Sequence, residues 1–432
     1  MMTRSPATTG TRRISQVTAL EILDSRNRPT LQVMVTLADG ITATAGVPSG
    51  ASIGSGEAAE RRDGDLSRYR GLGVCGAVEA VRGPIADRLR GQEWRSLEEI
   101  DAALIDLDGT PGKARLGANA VAGVSMACAR ALAWADGREL WDWLAPHQVT
   151  PQLPVPHFNL IDGGVHARDG LDFQEFMIAP IGAPSLAEAI RAGSEVYAAL
   201  HTLLTDRGHA TALGDEGGFA PQFAEPEEAL RLLVTAIRVA DYEPGRDGVA
   251  IALDVAASGF RDHQGRYRLA GQKLTSDEMI ERYAEITRRF PVWLIEDGLA
   301  EDDWDGWAGL TGRLGGQIQL AGDDIFVTNP AIIADAIGRG VGNAAVIKVT
   351  QVGTVTETLE AMAVCRKGGY AQLVSHRSGE TTDTFIADLA VGSGCGELKA
   401  GAPARGERVA KYNRLLEIAG SRPDLPYGLP DL

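Results

Sequence analysis

Five short apolar stretches of this chain each finish in ionisable residues. VAIALD ends in Asp254, VWLIED in Glu296 and Asp297, IQLAGDD in Asp323 and Asp324, AAVIK in Lys348, and AQLVSHR in Ser375, His376 and Arg377. Asp254, Glu296 and Asp323 brought together without a cation would repel one another and hold protons. A hard divalent ion bound through oxygen resolves that repulsion, and the lack of Cys or His beside the three carboxylates favours Mg²⁺ over zinc. A salt-bridge network with Arg377 and the lysines is the competing reading of the same residues. Opposite the carboxylates stand the cations Lys348, His376, Arg377 and Lys399. Arg377, followed by Ser378 and Gly379, offers a guanidinium fork, a hydroxyl and open backbone amides, a grip suited to phosphate. Carboxylates, metal and cations together imply a small anionic substrate carrying phosphate or carboxylate. Lys348, held near the metal and other positive charges, is expected to have a depressed pKa and to act as a base. A base there suits removal of a proton α to a metal-held carboxylate.

Two glycine-rich loops add acid groups. LGDEGGFAP carries Asp215 and Glu216, and LIDGGVHARDGLDFQEFMI carries His166, Gln174 and Glu175. Glu216, if protonated, could donate to a leaving hydroxyl, with Glu175 assisting by hydrogen bond or relay. VPSGASIGSGEA, from Val47 to Ala58, is small, glycine-rich and followed by a helix pattern, which reads as a mobile lid.

The elements that must position these residues follow a strand-then-helix grammar. In a parallel βα barrel the C-terminal strand ends converge on one face, and five contributing strands fit a closed barrel better than an open sheet. Helices are expected from Ser185 to Leu204, opened by Ser185 and Glu188, and from Ser276 to Phe290, Pro330 to Gly338 and Thr354 to Lys367. Before them, Thr30 to Val47 reads as a hairpin around Asp39-Gly40, and Leu116 to Gly137 as a buried small-residue helix. The proline-bearing stretch from Ala145 to Pro156 reads as a linker. The expected division is a tail at 1–13, an α+β unit carrying the lid at 14–145, and the barrel at 146–432.

The chain has 432 residues and a net charge of −16, which argues against a nucleic-acid groove as its main surface. Four cysteines without metal spacing suggest free thiols in a reducing cytoplasm. No apolar run approaches the length of a membrane span, and no membrane partner is expected.

The motifs EILDSR, PSGAS, LGANA, GDEGGFAP, LIEDGL, GDDIFVTN, SHRSGET and ARGERVAKYN together resemble the enolase (phosphopyruvate hydratase) family, from about Ile14 to Ile418. The resemblance implies an α/β architecture: a small α+β N-terminal domain, then a modified (β/α)8 barrel, in a homodimer or larger assembly. It implies Lys348 as general base, Glu216 as general acid and Glu175 as its helper. Asp254, Glu296 and Asp323 match the ligands of a tighter Mg²⁺ and Ser49 the contact of a second, two ions per site. Arg377 and Ser378 match phosphate contacts, His166 a lid-closure contact, and Lys399 with His376 the carboxylate end; Gln174 joins the substrate-binding set. The implied reaction is reversible dehydration of 2-phosphoglycerate to phosphoenolpyruvate.

Departures from the family pattern lie close to these groups. Ile53 stands for Thr, Asp162 and Thr350 for Asn, Thr382 and Gly259 for Glu, and Asn27-Arg28 for Gly-Asn. Asp162 is expected to add a negative charge near His166. Such changes leave two alternatives: a carboxyphosphonoenolpyruvate synthase of a phosphonate pathway, or a catalytically silent scaffold.

Overall fold

The computed structural model describes residues 12–51, 53–167 and 170–430. Its first part is an antiparallel sheet of β1 (Arg12–Leu23), β2 (Pro29–Leu37), β3 (Thr42–Gly46) and the two-residue β4 (Glu93–Trp94), in the order β3-β2-β1-β4. Arg12 and Arg13 therefore belong to a strand, not to the expected tail, because they pair with Trp94 and Glu93. Residues 1–11 lie outside the described residues. The hairpin turns at Gly40, whose φ of +91° suits a residue without Cβ. The small-residue segment forms a helix, Ala118–Ala135, whose Gly123 lets its backbone approach Val33 and Val47.

Eight strands close a barrel. They are β5 (Val155–Asp162), β6 (Glu175–Ala179), β7 (Ala250–Asp254), β10 (Val292–Glu296), β11 (Gln319–Gly322), β12 (Ala344–Ile347), β13 (Ala371–Ser375) and β14 (Gly396–Lys399). A small hairpin, β8 (Tyr267–Leu269) with β9 (Gln272–Leu274), lies between β7 and β10 in sequence. Every barrel pairing is parallel except the two made by β6. That reversal has a functional result. β6 begins where its neighbours end, so its first residue, Glu175, pairs with Asp162 and Asp254 at the common mouth.

Glu175 is thus fixed by a strand, and Gln174, just before it, is tied down by its amide donating to the Asp254 carbonyl at 3.0 Å. Lys399, expected beyond the last helix, is the end of β14. The helix pattern after the lid is not realised: residues 53–68 contain no helix, and the first α-helix is Cys75–Ala80. Below the mouth the barrel is filled by small and aliphatic side chains, among them Ala179, Ala250, Ala252, Ala321, Ala344 and Ala371. The apolar filling is broken by buried Glu397 on β14, to which Gln319 of β11 donates at 2.9 Å and beside which His157 of β5 lies at 3.8 Å.

The four expected helices form as Leu186–Asp206, Ser276–Arg289, Pro330–Arg339 and Val355–Gly368. Ser185 caps the first by accepting from the Glu188 amide, and Thr275 with Glu278 forms a capping box on the second. No helix among the described residues is long and apolar enough to cross a membrane.

Helix Leu186–Asp206 packs against β5 through Gly193, where an added Cβ would meet the Phe158 ring at 2.3 Å. Gly193→Ala should therefore destabilise the protein. The gain in helix propensity of about 1 kcal/mol is outweighed by overpacking of about 1–3 kcal/mol. Urea unfolding checks the sign; a variant more stable than the parent would show that the helix can shift outward freely.

Candidate active site

β7 and β10 end side by side, with Asp254 opposite Glu296 in register, and Asp323 follows the end of β11. All three carboxylates are buried. The cations do not stand opposite them, as the sequence suggested, but among them. Lys399 Nζ lies 2.7 Å from Glu296, 3.2 Å from Asp254 and 3.4 Å from Glu175. Lys348 Nζ pairs directly with Asp323 Oδ2. Four carboxylates therefore share two ammonium groups. Burial, reinforced by Asp254, pushes Glu296 well above the usual carboxylate range. Burial works to lower Lys348, but Asp323 overrides it and raises the lysine. The depression expected of Lys348 belongs to a site holding the metal; with Asp323 as its nearest charge the lysine is raised.

The excess of buried negative charge and the all-oxygen donor set fit a hard divalent cation, and Glu175 Oε2 is buried with no hydrogen-bond partner. Asp297 braces this layer: its two carboxylate oxygens accept from the backbone amides of Asp323 and Asp324, each at 2.9 Å.

The acid end is built from two loops and β6. His166 Nε2 lies 3.5 Å from Glu216 and 3.9 Å from Glu175. Gln174 donates to Asp254 Oδ2 at 3.3 Å, so it faces the carboxylate layer. His376 is buried, and burial pulls its pKa to about 3, leaving the imidazole neutral. Its Nδ1 faces the Arg408 guanidinium, which can only donate, so the ring proton sits on Nε2. That nitrogen is 3.1 Å from Glu216 Oε2. Burial alone would raise Glu216, but the close His376 ring, acting through its Nε2 proton, and the Arg408 charge pull it below the usual range. Burial and Glu216 push Glu175 well above it. The two carboxyls are pushed apart in pKa, Glu175 upward and Glu216 downward. Asp162 adds no charge: burial and Glu216 push it well above its ordinary value.

The phosphate-binding candidate, Arg377, is gripped from the lid. Its guanidinium donates to both carboxylate oxygens of Glu57 at 3.0 and 3.1 Å and to Thr350 Oγ1 at 3.0 Å. Gln351 ties the same region together, donating to Asp323 at 2.8 Å and to Glu57 at 3.2 Å. Ile53, Thr350 and Arg377 line one cavity of about 240 Å³ beneath the lid. Ser378 Oγ accepts from Arg26 at 3.2 Å. Ser49 does not join the carboxylates. Its backbone pairs with Gly379, and its hydroxyl is held by Glu60 at 3.0 Å and Arg62 at 2.8 Å.

One cleft is lined by His166, Gln174, Glu175, Glu216, Asp254, Asp323, Lys348, His376, Arg377, Ser378 and Lys399. Of the anticipated residues, Glu296 sits just behind it on Lys399, and Ser49 is apart. Sequence reasoning missed Glu57, Asn159, Gln351 and Arg408. Glu57, in the lid segment, and Arg408, inside ARGERVAKYN, carried a charge signal; Asn159, inside β5, and Gln351, in the helical turn after β12, gave none, being ordinary amides.

Comparison with known proteins agrees with this geometry. A family model described as "Enolase, N-terminal domain" matches residues 14–144, and one described as "Enolase, C-terminal TIM barrel domain" matches residues 150–423. The chain is similar to the enolase of Acidothermus cellulolyticus, 54% identical over 406 residues and 94% of each chain. It is similar to the enolase of Mycobacterium leprae, 53% identical over 405 residues and 94% of each. With both halves of the fold matched and more than half the residues identical across nearly the whole length, the chain belongs to the enolase family.

Proposed function

We propose that this protein is an enolase-type hydro-lyase that interconverts 2-phosphoglycerate and phosphoenolpyruvate. The observation that carries the reading is a partly buried lysine, Lys348, and a pair of buried carboxyls, Glu175 and Glu216, lining one cleft with the carboxylate layer. Dehydration needs one proton taken from the α carbon and one given to the departing hydroxyl. Lys348 takes the first. Glu216, with Glu175 behind it as proton store, gives the second, so protons balance and water leaves. Lys348 accepts a proton only when Asp323 is not its ion-pair partner, so the base is released once Asp323 is engaged elsewhere.

Arg377 and Ser378 hold the phosphate, which must displace Glu57 from the guanidinium. His166, Gln174, His376 and Lys399 complete the surround of the carboxylate and the leaving group. Asp254, Glu296 and Asp323 would hold Mg²⁺, which would supply positive charge against the negative charge that develops on the substrate carboxylate. A second ion using Ser49 would need that hydroxyl to leave Glu60 and Arg62. The relatives carry the plain name enolase, which favours dehydration over the phosphonate alternative, and a complete set of acid, base and carboxylates disfavours a silent scaffold.

Lys348→Ala should lower exchange of the substrate α-proton by roughly 10²–10⁴-fold while phosphoenolpyruvate binding changes little. Exchange at the parent rate would remove Lys348 from the base role. Mg²⁺ at about 100 times its dissociation constant should stabilise the parent by about 2.7 kcal/mol in thermal melts. The effect should vanish in Glu296→Ala, and an undiminished shift would put the ion elsewhere.

A further inference from the structure

β5 ends in Asp162, a fully buried carboxyl that pairs in register with Glu175 and packs under the turn bearing Glu216. Its Oδ2 accepts from the Glu216 backbone amide at 3.3 Å. Its Oδ1 lies 2.6 Å from Asn159 Nδ2, and the same amide nitrogen lies 3.3 Å from Glu216 Oε2. One side chain therefore spans the two carboxyls. The glycines of the turn make room for the arrangement: a Cβ on Gly214 would come within 2.2 Å of Asp162 Oδ2, and one on Gly218 within 3.1 Å of Oδ1.

The charged and titratable groups facing Asp162 are Glu216, Glu175, Tyr197 and Arg408. Tyr197 spends its hydroxyl on the Gly217 carbonyl at 2.9 Å. Arg408 directs its two terminal nitrogens to His376, to Ser25 and to the backbone carbonyls of Asp215, Arg377 and Ser378, and its Nε lies 3.4 Å from Glu407. Asp162 thus has no ion-pair partner of its own among the described residues. Two carboxyls bridged by one amide in a buried site do not both ionise. Asn159 Oδ1 is also buried and unpartnered, so turning that amide over would give an Asp162 hydroxyl an acceptor in the same place.

We propose that Asp162 is a positioning residue for Glu216: it fixes the Glu216 backbone, orients its carboxyl through Asn159, and shares one proton with it. The proposal rests on the reading of Glu216 as the acid. The pair gives up its one proton only against the charge already on its other carboxyl, so Glu216 titrating alone beside a neutral amide should lose its proton at lower pH than the pair does.

The test uses the full-length protein with 2-phosphoglycerate and Mg²⁺, and follows both α-proton exchange and dehydration across pH. Asp162→Asn should keep exchange near the parent rate and move the alkaline limb of the dehydration profile down by about one pH unit or more. Asp162→Ala, which also abandons the Glu216 amide and Asn159, should lower kcat roughly 10-fold or more with little change in KM. If that variant does not fold, the Asn variant carries the test. Glu216→Gln separates the two ideas, because it should lose dehydration and keep exchange. If it dehydrates at the parent rate, the acid assignment fails. If it does not, yet the Asp162→Asn profile superimposes on the parent, Asp162 is merely structural and the present proposal is overturned.

Discussion

The barrel mouth concentrates more negative charge than its own cations can balance, and the surrounding structure answers to that. Glu175, Asp254, Glu296 and Asp323 sit in a layer with two ammonium groups, above a barrel interior of alanine, valine and leucine. Such a layer is costly in a low-dielectric interior unless further positive charge arrives. Asp297 holds the backbone of Asp323 and Asp324, and Gln351 holds the Asp323 side chain, so the repelling groups cannot swing apart. The same charge excess fits the site for a divalent cation and an anionic substrate, and it keeps Lys348 protonated while Asp323 is its partner.

The lid is coupled to this charge balance through Arg377. Glu57 fills the guanidinium fork that a phosphate would need, and Gln351 links Glu57 to Asp323. Engagement of the carboxylates and capture of the phosphate therefore touch one hydrogen-bonded chain. Thr350 belongs to it: two residues after the lysine, its hydroxyl accepts a hydrogen bond from the Arg377 guanidinium at 3.0 Å and so helps to aim Arg377 at the cleft.

The site was largely legible because strands β7, β10, β11, β12 and β13 are apolar runs that stop in charged residues. β5, β6 and β14 were not, for identifiable reasons. VPHFNLID contains a proline and a histidine, GELK has almost no β-forming residue, and EFMIA follows a glycine-rich loop with no turn signal before it. Their strand state comes from closing the barrel, a tertiary effect that local propensity does not carry. The reversal of β6 was hidden for the same reason, although it is what brings Glu175 to the mouth. Charge states were the least legible. Whether Lys348 rises or falls, and whether Glu175, Glu216 or Asp162 keeps a proton, depends on neighbours supplied by other strands.

The central claim is that this cleft dehydrates 2-phosphoglycerate. The most direct measurement is the rise in phosphoenolpyruvate absorbance when the purified protein is given 2-phosphoglycerate and Mg²⁺. Sustained turnover that stops when Mg²⁺ is chelated is the predicted result. Absence of phosphoenolpyruvate, from protein that still melts at a higher temperature when substrate and Mg²⁺ are added, would contradict it: the cleft would bind the family's ligand without performing the family's reaction.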